Sequence, residues 1–182
     1  MLFRQKHLGL THYQLSINTL SINLTMPQIH LTSFITAPIE RVFDLSRSIN
    51  LHKISTIDTN EKAIDGIMNG LINKNETVTW QAKHLFKTRQ FTSEITEMQS
   101  PFSFTDEMIK GDFKTFHQEH HFKTAENGTI MIDLLNFETP YGIIGKIVNT
   151  LFLTAYLENF LKKRNKVIKE YAETKKWKAI LS

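Results

Sequence analysis

From residue 28 the chain alternates cleanly: Ile29, Leu31, Ser33 and Ile35 fall on one side, and His30, Thr32, Phe34 and Thr36 on the other, which predicts a strand. Pro38 then suits the first turn of a helix, with Thr36 as its cap, and Val42, Phe43, Leu45 and Ile49 recur at helical spacing. A second short helix is expected around 48–54. Six further segments read as strands: 67–72, 77–86, 88–98, 102–110, 113–123 and 129–138. Their separators are Asn73-Lys74-Asn75, Lys87-Thr88, Ser100-Pro101, Gly111-Asp112 and Asn127-Gly128, the last a strong two-residue hairpin signal. Thr139-Pro140-Tyr141-Gly142 breaks the last strand. Ile144, Ile147, Val148, Leu151 and Ala155, then Leu157, Phe160, Leu161, Val167, Ile168 and Tyr171, predict one long helix, apolar in its first half and increasingly solvated in its second.

The order strand, two short helices, six strands, long helix implies an α+β fold. Strands of this length joined by short turns form an antiparallel meander of seven strands. Such a sheet must bury one face, and the long C-terminal helix is the only partner large enough. A curved sheet wrapped around one helix leaves a space that neither surface fills, which is a natural small-molecule cavity. The single domain is expected over 27–176, with 177–182 as a tail. Residues 1–26 form an extension outside the fold. Its first 25 residues are polar-interrupted and lack the uninterrupted apolar stretch of about 7–15 residues that a signal peptide needs. They read as a disordered segment, as the product of a start codon placed too early, or as a weak amphipathic anchor.

Side chains alternate across a strand, so apolar positions carry their same-parity neighbours inward. Val78, Trp80, Ala82 and Phe86 bring His84 inside. Phe91 and Ile95 bring Arg89 and Ser93; Phe102, Phe104 and Met108 bring Asp106. Phe116 and Phe122 bring Gln118 and His120, and Met131, Leu135 and Phe137 bring Asp133. Buried charges are costly unless paired. His84, Arg89, Asp106, His120 and Asp133 therefore pair with one another, contact a ligand, or serve as acid/base groups.

The 41% hydrophobic content, with 13 Phe, excludes a disordered tail protein, and the absence of Cys excludes disulfides, thiolate metal sites and a cysteine nucleophile. A cysteine-free chain fits a reducing, cytoplasmic setting. No segment reaches the roughly 18 apolar residues of a membrane span. The net charge of +4 is uneven: +5 over 158–182, +2 over 1–25 and −3 over 26–157. A mildly acidic body argues against nucleic-acid binding. The basic cluster Lys162, Lys163, Arg164 and Lys166 reads as a solvated helix face, a membrane-surface contact being the sharper alternative. In His117-Gln118-Glu119-His120-His121, His117 and His121 share a face about 13 Å apart while His120 points to the other, so no metal is expected. Gly142-Ile143-Ile144-Gly145-Lys146 has the wrong spacing for a phosphate loop, and Gly66 and Gly70 suit bulges. No cofactor signature is present.

Several stretches resemble the helix-grip superfamily called SRPBCC, which includes START-type lipid-binding domains, the major birch pollen allergen and polyketide cyclases. They are Ser46-Arg47-Ser48-Ile49-Asn50-Leu51-His52, Gly70-Leu71-Ile72 and Val78-Thr79-Trp80-Gln81-Ala82-Lys83-His84. Phe104-Thr105-Asp106-Glu107, Glu119-His120 and Met131-Ile132-Asp133 continue the match, as do Phe137 to Gly142, Leu151-Phe152-Leu153 and Arg164-Asn165. The resemblance covers about 28–172. It is strongest to a bacterial subgroup of small stand-alone proteins described as polyketide-cyclase-like or cell-division-inhibitor-like. That subgroup carries His where this chain has Gln118, and Gly near Asn75. The resemblance implies a cavity for a hydrophobic ligand between sheet and helix; it carries over no established reaction.

Three functions follow as expectations. The first is binding of a small hydrophobic ligand, such as a lipid, quinone, polyketide or aromatic compound, against Trp80, Phe91, Phe104, Phe116 and Phe137. His84, Arg89, Asp106, His120 and Asp133 would orient its polar end. The second is a cyclase, aromatase or dehydratase in which His84 or His120 acts as base, oriented by Asp106 or Asp133. This requires a histidine–carboxylate pair open to the cavity. The third is an interaction module, linked to cell division or the envelope, that acts through the basic helix end.

Overall fold

A computed structural model describes residues 28–84, 86–140 and 143–182, with the side chains of His84 and of 143–150 excepted. The predicted extension over 1–26, Gly142 and the side chain of the site candidate His84 thus lie outside the described residues.

Strand β1 (Gln28–Ile35) leads to helices α1 (Ile39–Ser46) and α2 (Ile49–Ser55), then to β2 (Lys62–Gly66). β3 (Thr77–His84), β4 (Lys87–Gln99), β5 (Ser103–Lys110), β6 (Thr115–Ala125) and β7 (Gly128–Glu138) follow, and α3 (Ile143–Glu173) closes the domain. All seven strands form one antiparallel sheet in the order β1-β7-β6-β5-β4-β3-β2. The curved sheet and long C-terminal helix are the α+β helix-grip arrangement that the pattern predicted.

α1 buries Ile39, Val42, Phe43 and Ser46, the i, i+3, i+4, i+7 stripe of an amphipathic helix. Phe43 meets Phe104 and Phe122 edge-on, with centroids 5.7 and 5.5 Å apart, and so seats α1 on β5 and β6. Ser48 caps α2 by accepting the Leu51 N–H at 3.2 Å. Thr36 is not a cap. Pro38 holds the cap position of α1 without a side-chain bond, and the Thr36 N–H donates instead to Glu173 Oε1 of α3 at 2.8 Å.

Several boundaries differ from the pattern. The second strand is Lys62–Gly66, not 67–72, because Gly66 and Gly70, at φ of 71° and 78°, turn the chain out of extended conformation. Residues 67–76 form a loop that Arg47 ties down through the carbonyl of Ile72 and Oδ1 of Asn73. Asn75 takes a left-handed φ of 65°, at the place where the resembling subgroup carries glycine. Phe86 does not face the core: β3 ends at His84, and Phe86 is 96% exposed with φ of 68°. Phe102 precedes β5 and is half-exposed. Met98 packs on the core although Ile95 does too, because a bulge between Ile95 and Glu97 reverses the side-chain parity. The last residues form a 3₁₀ turn, Lys175–Trp177, and a short helix α4, Lys178–Leu181, whose Trp177, Ile180 and Leu181 lean on the core.

A methyl group at Gly66 would lie 2.2 Å from the Thr77 carbonyl oxygen in addition to demanding the left-handed conformation. Gly66→Ala should therefore cost at least about 1–2 kcal/mol in a urea unfolding series. A loss below a few tenths would show that this turn relaxes freely.

Among the described side chains the long helix reverses the expected gradient. Its second half is the packed one, burying Leu161, Arg164, Asn165, Ile168 and Ala172, while Leu151 and Phe152 in the first half are 69% and 56% exposed. Arg164 leaves the predicted solvated face altogether; Lys162, Lys163 and Lys166 remain exposed. Lys162 pairs with Glu158 at 2.5 Å and Lys163 with Asp58 at 2.8 Å. Among the described residues no helix is long and apolar enough to cross a membrane.

Candidate functional site

A cavity of about 380 Å³ opens between the inner face of the sheet and the first half of α3. β3 supplies Trp80 and Ala82, β4 Arg89 and Phe91, β5 Asp106, β6 Phe116 and Gln118, and β7 Leu135. Phe152, Leu153, Tyr156, Leu157, Phe160 and Leu161 of α3 form the opposite wall, with Phe113, Thr139 and Pro140 at one end. Phe91 of β4 and Phe116 of β6 meet edge-on at 5.0 Å across β5, and Phe113, just before β6, lies 5.3 Å from Phe116, so the three rings form one continuous aromatic surface.

Of the residues predicted for ligand contact, Trp80, Arg89, Phe91, Asp106 and Phe116 line this cavity. Phe104, His120, Asp133 and Phe137 do not; they lie buried behind its wall. The parity rule found the correct face for them, but the helices divide that face into a packed half and an open half. Arg89 pairs with Asp112 at the partly exposed rim of the cavity, not with an inward carboxylate.

His120 and Asp133 form a buried pair, Nδ1 to Oδ1 at 2.5 Å, and Phe104 stacks on the imidazole with centroids 4.3 Å apart. Asp133 Oδ2 also accepts from Asn165 Nδ2 at 2.6 Å, and the Arg164 guanidinium lies 3.8 Å from Oδ1. Arg164 Nη2 donates to the Ser46 carbonyl at 2.7 Å. Burial presses the His120 imidazole below its ordinary value, against the pull of Asp133. Burial would raise the Asp133 carboxyl, but the His120 hydrogen bond and the nearby charges carry it below the ordinary carboxylate value. The imidazole is thus neutral and donates Nδ1–H to an ionised Asp133, whose charge Arg164 balances. This network clasps α3 to β7 and α1. The acid/base role expected of His120 and Asp133 required both to open on the cavity; the stacked phenyl ring and the packing around them close it off.

A histidine–carboxylate pair does open on the cavity, and it was not anticipated. His52 of α2 and Glu61, just before β2, meet at 2.6 Å between Nε2 and Oε2, both on the cavity wall. His52 stacks on Trp80 with centroids 4.1 Å apart. Only the Trp80 parity signal pointed there; the pairing of His52 with Glu61 comes from loop closure, which no periodicity encodes. Geometrically this pair has the arrangement of a general base and its orienting partner.

Asp106 borders the cavity, yet its Oδ1 is shielded from solvent and has no hydrogen-bond partner. Burial drives its carboxyl above the ordinary value, opposed by nearby Ser93 and by the Arg164 guanidinium. Ser93 does not resolve the deficit: its Oγ is itself buried without a partner of normal hydrogen-bond geometry. Gln118 stands directly across from Asp106 in the β5–β6 register, and its Nε2 is also buried and unpartnered.

On the outer face, Glu119 sits between His117 and His121, accepting at 3.2 and 2.8 Å, and His117 also meets Glu107 at 2.8 Å. Among the described residues no group of three or more side chains is arranged to hold a metal ion.

No family model matches the sequence, and no curated protein matches it. Solved structures do match. A START superfamily protein from Mycobacterium smegmatis superposes with a TM-score of 0.61 at 11% identity, over 80% of this chain and 97% of that one. The fold is that of the START superfamily. Protein TTHA0849 from Thermus thermophilus gives a TM-score of 0.62 at 19% identity, over 78% and 97% of the two chains. Ginseng major latex-like protein 151 from Panax ginseng gives 0.60 at 15%, over 81% and 97%. These matches span about four fifths of this chain and nearly the whole of each neighbour.

Proposed function

We propose that this protein binds a small hydrophobic molecule between the sheet and the first half of α3. The observation that carries this reading is the cavity of about 380 Å³ walled by Trp80, Phe91, Phe113, Phe116 and the apolar side of α3. Its size is that of a small-molecule pocket, and its few polar groups are the kind that orient a ligand within an apolar wall. The START-type fold of the structural neighbours supports the same reading, since that fold brackets a space between sheet and helix.

Trp80 lies on the wall and reports occupancy directly. Titrating a panel of hydrophobic probes should change its fluorescence with one-site saturation. Ala82 also faces the cavity, so Ala82→Phe should fill part of it and weaken binding at least about tenfold while leaving the unfolding transition cooperative. Native mass spectrometry and fluorescence that detect no ligand across a broad hydrophobic panel would overturn the proposal.

A further inference from the structure

The polar spot on the cavity floor narrows the class of ligand. This inference rests on the binding function just proposed. Asp106 and Gln118 are cross-strand partners on the same inner face, and both line the cavity. Side chains so placed would ordinarily bond each other, yet Asp106 Oδ1 and Gln118 Nε2 are both buried and neither has a partner. Gln118 is 94% buried, its residual exposure being 6%. Unmade hydrogen bonds of this kind are destabilising in a folded protein and are uncommon away from functional sites. An amide donor and a carboxyl group flank one small region of a largely apolar wall.

We propose that Asp106 and Gln118 together hold an uncharged carbonyl oxygen, so that the preferred ligands are neutral ring ketones and quinones and not ionised fatty or aromatic acids. Gln118 Nε2 donates to such an oxygen outright. Burial favours the protonated form of the Asp106 carboxyl, and the carbonyl oxygen of a bound ligand would accept from that proton. A carboxylate in the same place would be set beside Asp106 and share the cavity with Glu61. The cation at the rim, Arg89, is already engaged by Asp112. The aromatic rings on either side favour a flat, conjugated skeleton, which ring ketones and quinones provide.

Three naphthalenes of nearly equal shape separate the possibilities: 2-acetylnaphthalene, 2-isopropenylnaphthalene and 2-naphthoate. Their affinities are measured by Trp80 fluorescence and calorimetry at pH 7.5. The ketone should bind about tenfold more tightly than the hydrocarbon, and the carboxylate more weakly than both. Gln118→Leu should abolish the preference for the ketone over the hydrocarbon, and a cooperative urea unfolding transition verifies that the variant folds. Asp106→Asn keeps a donor at the site and should retain the preference; Asp106→Leu should lose it. Equal binding of ketone and hydrocarbon, or tightest binding of naphthoate, overturns the carbonyl assignment while leaving the cavity function standing. If none of the three binds and the wider hydrophobic panel also fails, it is the cavity function itself that falls. If only the naphthalenes fail while other apolar probes bind, the flat-ring preference is wrong.

Discussion

Replacing Asp133 with alanine should cost about 3–5 kcal/mol of folding stability, the range seen when one member of a buried ion pair is removed. Asp133 has no exposed surface, accepts hydrogen bonds from both His120 and Asn165, and lies 3.8 Å from the Arg164 guanidinium. Without it, an imidazole N–H and an amide are left unsatisfied, and the guanidinium loses the charge that balances it inside the packed half of the fold. Two of these three groups belong to adjacent positions on α3, so the loss falls on the contact between the long helix and β7. Asp133→Asn keeps an acceptor but loses the charge, and should cost clearly less than the alanine variant. Urea unfolding at pH 7 measures both. Because Asp133 does not line the cavity, folded Asp133→Asn should bind apolar probes with affinity close to that of the parent protein. A loss below about 1 kcal/mol for Asp133→Ala would show that the network is not the clasp, and a binding defect without a stability defect would return Asp133 to the ligand site.

The same network shows where sequence periodicity informs and where it is blind. β7 alternates buried and partly buried residues without a break from Thr129 to Phe137, so Asp133 was placed inward by its neighbours alone. The Asn127-Gly128 turn was equally legible, because Asn127 takes the left-handed φ of 63° that a tight hairpin asks for. β2 carried no such signal. It is an edge strand whose five residues are exposed but for Ala63, so it has no apolar alternation to read, and the eye settles on 67–72 instead. Phe86 and Phe102 misled for a related reason: an aromatic residue one or two positions beyond a strand end preserves the pattern on paper after the backbone has turned. On α3 the buried stripe Leu161, Arg164, Asn165, Ile168 and Ala172 has correct helical spacing, but two of its members are polar. A buried arginine in a lysine-rich stretch is indistinguishable by type from its solvated neighbours. Arg164 was read with the solvated basic cluster, and Asn165 entered only through the family resemblance, with no role attached. The division of the inner face into core and cavity depends on how α1 and α3 seat against the sheet. That is why His120 could be placed inside but not on the correct side of the wall, and why His52 and Glu61 were not anticipated.

Where Asp106 is ionised in the folded protein, Asp106→Asn should be stabilising by about 1–3 kcal/mol, the cost of a buried polar group without its partner. The sign follows from linkage. The folded-state pKa of Asp106 is raised above its ordinary 3.8, so the folded protein holds this proton more tightly than the unfolded chain. The stabilisation from that proton is complete below pH 3.8 and is lost as pH rises through the folded-state value. Above that value the wild-type protein carries the penalty of a buried charge and the amide variant does not. The advantage of Asp106→Asn should therefore be largest above the folded-state value and shrink as pH falls from there toward 3.8. His120 and Asp133 have depressed folded-state values and act oppositely: their contributions are present above the ordinary values of 6.5 and 3.8 and are lost as pH falls through the folded ones. Wild-type and variant should both weaken in acid through that pair, but the gap between them should narrow. Parallel urea titrations from pH 4 to 8 read the gap directly. A constant gap would mean that Asp106 does not hold its proton more tightly in the folded state. A destabilised variant at pH 7.5 would mean that its carboxylate is satisfied, and the polar spot on the cavity floor would then have no deficit for a ligand to fill.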